Sequence, residues 1–465
     1  VPLTRAKTVD TAPVIAFCVL FALACIPSKI LSDADTLWQI RTGEWILDHR
    51  AIPWTDPFSF TAGDRTWYPH EWLAEVFLGI AYRLGGFDGV IFLAAGAVGL
   101  TAAIMLRHLR RFLPDPYAIV ALGIALSCAA PSMLARPHLL AWPCLAAVCS
   151  GLAMARSRRT APSLWLLPVI VLWVNLHGSF MVGLLLPIGL MIEALFDPRA
   201  NRREVLTGWG RFVVAAWVCA LINPAFWEGI IFPFRMLRMT STVWINEWQA
   251  MDFSRYPAVT FVILGALALG LTGQLRLPPF RLLILLGLIL ETLLHRRNQQ
   301  LLGIVGVLML AEPFAAARGL RAARPLGRLG WSAIVIVLVA IPLRIRGPID
   351  PRFTGGTIAQ VLSILPDSVR ARPVLNDYSL GGHLIFLGVR PYIDSRADLY
   401  GDSFLEGYSK ALTDRATLIH ELDANHIGWT IFPDSTQTIA ILDGLPGWRR
   451  LETKDGYVIH VRSGG

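Results

Sequence analysis

The chain has 465 residues, of which 54% are hydrophobic and only 16% charged, with a mean hydropathy of +0.53 and a formal net charge of +9. That is too little charge to cover the surface of a soluble protein of this length, which excludes an ordinary water-soluble enzyme. The positive balance does not indicate nucleic acid, because the arginines sit in short loops between apolar blocks and so report membrane topology.

In chain order the apolar blocks predict about eleven transmembrane helices, near 11–31, 85–106, 116–134, 138–155, 163–175, 179–196, 210–223, 256–273, 281–295, 300–316 and 330–345. The 16 tryptophans gather near block ends, where bilayer interfaces lie. The first block follows Arg5 and Lys7 as a signal peptide would. It lacks a small-x-small cleavage site and leads into further spans, so it reads as an uncleaved first helix. The stretch 163–196 reads as two short helices broken at Asn175–Gly178, with one long helix as the alternative.

Arginine counting supports the two-helix choice. Arg107/Arg110/Arg111, Arg156/Arg158/Arg159, Arg199/Arg202/Arg203/Arg211, Arg276/Arg281 and Arg318/Arg321/Arg324/Arg328 then fall on one side, together with Arg5 and Lys7. By the positive-inside rule that side, with the N-terminus, is cytoplasmic in a bacterial inner (plasma) membrane. The expected division is a transmembrane domain over 1–345, carrying a long outer loop 32–84, and a periplasmic or extracellular domain over 346–465. A second outer segment, 224–255, contains the interfacial-looking stretch Phe226–Met239. All six cysteines lie in apolar blocks, so no disulfide framework or metal-ligand spacing is present.

The tail reads as a small α/β domain. Strands are expected at Arg372–Leu375, Arg390–Ile393 and Trp429–Phe432, and helices at Leu380–Leu387, Phe404–Ala411 and Thr417–Ala424. A final hairpin, Trp448–Glu452 and Tyr457–Val461, turns at Lys454-Asp455-Gly456.

Several polar groups oppose the membrane pattern. On the outer side sit His295-Arg296-Arg297-Asn298, Arg136-Pro137-His138 and Asn175-Leu176-His177-Gly178. A single arginine there is explained by snorkelling to headgroups. Several together suit the phosphate of an anionic lipid, which a guanidinium matches in geometry. The first outer loop has the opposite sign, with Asp33-Ala34-Asp35 at the exit of the first span and His70-Glu71 further on. Asp33 or Asp35 is also well placed to cap the following helix. A carboxylate base with cationic phosphate binders is what lipid-linked glycosyl transfer requires.

Asp33-Ala34-Asp35 after the first helix, a long outer loop, about eleven spans and a soluble tail resemble the GT-C glycosyltransferases. That superfamily includes protein O-mannosyltransferases, the aminoarabinose transferase of lipid A and oligosaccharyltransferase. The blocks Asp35-Thr36-Leu37-Trp38-Gln39-Ile40-Arg41-Thr42-Gly43, Thr55-Asp56-Pro57-Phe58-Ser59, His70-Glu71-Trp72-Leu73 and Arg396-Ala397-Asp398-Leu399-Tyr400-Gly401-Asp402 are more closely similar to a group of bacterial membrane proteins. The resemblance implies a polytopic helical fold and transfer of a sugar from a polyprenyl phosphate to a glycan, lipid or protein acceptor. It makes Asp35 the catalytic base, with Asp33 second. Arg136, His138, Arg296 and Arg297 are then phosphate or substrate binders, and His70, Glu71 and His177 line the sugar or acceptor pocket. The tail lacks the Trp-Trp-Asp acceptor motif of oligosaccharyltransferases.

No nucleotide cofactor is required by this chemistry. Asp33, Asp35, His70 and Glu71 are residue types able to ligate a divalent metal, but their spacing selects none. In the tail, Asn376-Asp377-Tyr378 through Asp394-Ser395-Arg396-Ala397-Asp398 lie at expected strand ends, as an acceptor-recognition or docking surface or as a structural ion pair. The rival functions are a lipid-linked-substrate transporter or flippase and a structural component of an envelope polysaccharide pathway. A transporter would carry inverted repeats and mid-bilayer polar groups, which the sequence does not display.

Overall fold

The computed structural model describes residues 9–240 and 245–463. These fall into two compact units. A helical unit comprises Val1–Ile26, Ile91–Pro233 and Trp244–Gly347, and a second unit comprises Pro27–Val90, Phe234–Val243 and Pro348–Gly465.

Each predicted apolar block forms helix over most of its length, the first as two helices, Ala12–Ala24 and Pro27–Ile30. Pro137, Pro257 and Pro279 each open their helix, where a missing N–H costs nothing. The stretch 163–196 forms two helices, Leu167–Val174 and Phe180–Leu195. Asn175 closes the first by donating from Nδ2 to the carbonyls of Val171 and Ile222, both at 2.8 Å. The helical run Trp72–Leu109 is broken at Gly85 and Gly86, where Gly86 adopts φ +57°, a conformation that favours glycine. Four helical segments, Trp72–Leu109, Asp115–Ser132, Pro137–Ser157 and Arg296–Arg318, are long and apolar enough to cross a bilayer. Others are shorter but expose apolar stripes. Leu264, Leu267 and Leu271 on one helix are 54–80% exposed, a face that water would penalise and hydrocarbon would not.

Charges in this unit sort by helix end. Arg110 pairs with Asp10 at 3.1 Å and donates to the Arg324 carbonyl at 2.6 Å. Glu193 forms an ion pair with Arg156 at 3.0 Å and accepts from Arg281 at 2.8 Å, and Arg281 reaches Glu312 at 3.1 Å. All these arginines belong to the loops that the arginine count assigns to a common side.

In the second unit, helix Asp35–His49 crosses the helix that begins at Trp72. The crossing is at Gly43 and Gly79, where a Cβ on Gly43 would lie 1.9 Å from the Glu75 carbonyl oxygen. The tail builds a four-stranded sheet from β1 (Val374–Asn376), β2 (Trp429–Pro433), β3 (Trp448–Lys454) and β4 (Tyr457–Arg462), in the order β1-β2-β4-β3. β1 and β2 are parallel, and the other pairs antiparallel. The hairpin turns at Asp455 and Gly456, both at positive φ, as the Asp-Gly pair predicts. Trp429 and Ile431 of β2 pack with Ile459, Leu384, Val361 and Leu365 in the tail core.

Helices Gly381–Phe386, Asp402–Ala411 and Arg415–Ala424 form near their expected places. The stretch 390–393, expected as a strand, joins no ladder. The Asn376 side chain takes the place of a partner strand, accepting from the Tyr392 amide and donating to the Ile393 carbonyl, both at 2.8 Å.

Candidate functional site

Two groups of polar residues, one in each unit, contain the sequence-predicted site residues. In the second unit Asp35 opens its helix, and Asp33 Oδ1 accepts the Asp35 amide at 2.8 Å, the capping role. Asp35 is half-buried, and its Oδ1 accepts from the Ser395 hydroxyl. That hydroxyl in turn accepts from the Trp38 indole Nε1 at 3.0 Å.

Beside Ser395, Arg396 is buried among the rings of Trp38, Phe58 and Trp67, with its guanidinium carbon 4.7 Å from the Trp67 centroid. It forms two parallel bonds to Asp394, at 2.8 and 2.7 Å, and a third to Asp56 at 2.6 Å. Asp56 also accepts from the amides of Phe58 and Ser59, at 3.0 and 2.8 Å. Burial alone would raise the Asp56 carboxyl, but Arg396 outweighs it and holds the group below its usual value. Burial likewise opposes the charge on Arg396, yet Asp394 and Asp56 hold its pKa well above the ordinary one. The Trp67 indole donates to Asp398 at 3.1 Å. Burial, only partly offset by Arg396, pushes Asp398 up to about 6. His70 Nε2 lies 3.7 Å from Glu71 Oε1, and one turn later Glu75 is buried with no hydrogen-bond partner at Oε2.

The helical unit holds Arg136, His138, His177, Arg296 and Arg297. Arg136 donates to Glu247 at 2.9 Å, and the Arg297 guanidinium lies 4.5 Å over the Trp248 ring. Burial would raise Glu247, but Arg136 and Arg297 outweigh it and bring the carboxyl down to about 2. Arg296 is buried, 5.7 Å from the Tyr256 ring centroid. His138 bonds the Ser132 carbonyl at 2.7 Å, and its ring lies 6.0 Å from that of His177, whose Nδ1 pairs with Ser179 Oγ at 2.8 Å. Guanidinia held by aromatic faces and one carboxylate keep a fixed direction, which suits a phosphate.

The sequence reading singled out neither Ser395 nor Glu247 as a site residue. Ser395 stood inside a block noted for polar residues at expected strand ends, and Glu247 lies in the second outer segment, noted only for its interfacial-looking stretch. Among the described residues, no group of three or more His, Cys, Asp and Glu side chains is arranged to hold a metal ion.

The fold of this chain is similar to that of a solved oligosaccharyltransferase. The apo oligosaccharyltransferase of Archaeoglobus fulgidus matches 90% of this chain and 69% of its own, with a TM-score of 0.56 at 11% identity. The same protein tethered by a disulfide to an acceptor peptide containing the NVT sequon matches 90% and 68%, with a TM-score of 0.52 at 11% identity. ArnT from Cupriavidus metallidurans, bound to undecaprenyl phosphate, matches 97% and 98% with a TM-score of 0.49 at 12% identity. No family model and no curated protein sequence matches the chain. Likeness at this identity defines the fold and leaves the chemistry to the residues.

Proposed function

We propose that the chain is an inverting integral-membrane glycosyltransferase that moves a sugar from a polyprenyl phosphate to a hydroxyl of a glycan, lipid or protein acceptor. The reading places about eleven spans in a bacterial inner (plasma) membrane, with the N-terminus cytoplasmic and residues 346–465 on the outer side. The observation that carries it is the Asp35 carboxylate, which follows the first span at a helix start, where the Asp33 side chain accepts the Asp35 amide and the Ser395 hydroxyl donates to the carboxylate itself. In the step assigned to it, Asp35 takes the acceptor hydroxyl proton as that oxygen bonds to the anomeric carbon. The carbon–oxygen bond to the polyprenyl phosphate breaks on the opposite face, and its electron pair leaves with the phosphate. Arg136, Arg296 and Arg297 are assigned to that phosphate, and His70, Glu71, His138 and His177 to sugar or acceptor contacts.

The test uses membranes of a strain lacking the protein, whose own lipid-linked sugar serves as donor. Asp35→Asn should insert and remain stable while consumption of that donor falls by about 10²–10⁴-fold. Wild-type consumption by the variant would overturn the assignment.

A further inference from the structure

We propose that Ser395, on the tail, is a positioning residue that fixes the Asp35 carboxylate for proton abstraction, so that the tail is a working part of the catalytic apparatus. The proposal rests on the reading of Asp35 as base. An indole N–H can only donate and a carboxylate can only accept. The Ser395 hydroxyl lies between the two, accepting from Trp38 Nε1 at 3.0 Å and donating to Asp35 Oδ1. Its proton therefore has one direction. Trp38 lies one turn after Asp35 on the same helix, so Ser395 ties two positions of that helix to the tail.

Three features hold Ser395 there. Its carbonyl accepts from the Tyr378 hydroxyl at 3.1 Å. Its neighbours Asp394 and Arg396 form the buried pair that reaches Asp56 of the first loop. Helix Gly381–Phe386 approaches so closely that a Cβ on Gly382 would lie 2.5 Å from the Ala34 carbonyl, next to Asp35. A hydroxyl with a single orientation does two things for a base. It stabilises the ionised form, and it fixes the direction of the carboxylate. The charged or titratable groups on the elements packed here include Asp33, on the segment leading into the helix, Arg41 and Glu44 on that helix, His383 on the tail helix, and Tyr378, Asp394 and Arg396 around Ser395.

The experiment compares full-length wild type, Ser395→Ala, Ser395→Thr and Asp35→Asn in lipid vesicles. The donor is the lipid-linked sugar extracted from the deletion strain, and turnover is followed against pH together with thermal stability. Ser395→Ala should lose about tenfold or more in kcat with the KM for donor unchanged, and the acid limb of its rate profile should move to higher pH. Ser395→Thr, which keeps the hydroxyl, should restore both. A Ser395→Ala enzyme with the wild-type acid limb and kcat, or a Thr variant no better than Ala at equal stability, overturns the proposal. Should Ser395→Ala fail to accumulate, Trp38→Phe carries the test. It keeps the ring but removes the donor that orients Ser395, and it should lower kcat at unchanged KM; wild-type kcat would overturn the proposal. Failure of the underlying reading looks different: wild type itself then leaves the donor unconsumed, or Asp35→Asn consumes it normally.

Discussion

Arg396→Met removes the one guanidinium that two buried carboxylates share, while leaving an apolar side chain flexible enough to lie among Trp38, Phe58 and Trp67. Asp394 loses bonds of 2.8 and 2.7 Å, and Asp56 loses one of 2.6 Å, with nothing to replace the charge. Removing one partner of a buried ion pair costs about 3–5 kcal/mol, because the charge left behind is uncompensated. At about 2–4 °C per kcal/mol for a unit of this size, the unfolding midpoint of the second unit should fall by about 10 °C at pH 7.5. The pH dependence gives a sharper signature. In the wild type burial opposes the Asp56 charge, but Arg396 holds its carboxyl below the ordinary value. That contribution is complete above about pH 4 and is lost only as the pH falls below it. In the variant burial is opposed only by the hydrogen bonds from Ser59 and Phe58, so the Asp56 carboxyl rises, the protonated form gains and stability drops as the pH rises. The variant should therefore be weakest at pH 7.5 and recover part of the loss at pH 5. Near-ultraviolet circular dichroism and limited proteolysis of the tail measure this in detergent. All six cysteines lie in the helical unit, so thiol unmasking serves as the control for that part. A variant within 2 °C of wild type (about one kcal/mol or less), or one equally weakened at both pH values, would refute the reasoning.

Two further predictions concern charge. Arg136→Gln should raise the KM for the lipid-linked donor about tenfold with kcat within about twofold, as expected when a contact made equally before and during the reaction is lost. A collapse of kcat at constant KM would contradict the phosphate-binding assignment. In the tail, burial depresses His383 and His460, so below about pH 6.5 the unfolded chain holds more protons and these residues cost stability as the pH falls from 7 to 5. Asp398, raised to about 6 by burial, works the other way and adds stability over the same interval. The wild-type midpoint should barely move between pH 7 and 5, whereas Asp398→Asn should lose stability on acidification. Parallel profiles for the two proteins would show that burial does not set these groups as described.

What could be read from sequence follows the range of the physics involved. Spans and loop charges are local, and the break at Asn175–Gly178 carries its own signals in an amide and a glycine. Arginine counting even grouped Arg110, Arg156 and Arg281, which do pair with acids at the helix ends. The tail helices and the Asp-Gly hairpin are local too. Arg390–Ile393 had a strand-like composition, but the Asn376 side chain claims its backbone, and a pattern of hydrophobicity carries no trace of that. The joining of the first loop to the tail was equally out of reach, since its central bond links Asp56 to Arg396 across 340 positions.

The buried charges in that joint are not there for stability alone. An apolar cluster of the same volume would hold the two segments at least as well, because desolvating Arg396, Asp394 and Asp56 consumes most of what their attraction returns. Three directional bonds to one planar guanidinium, stacked against Trp67, instead admit few arrangements of loop and tail. Ser395 is the residue next to that guanidinium, and its hydroxyl must meet Asp35 within hydrogen-bond reach to act at all. On this argument the triad serves to place one hydroxyl. Arg396→Met should then impair turnover at pH 7.5 even at temperatures where the tail remains folded.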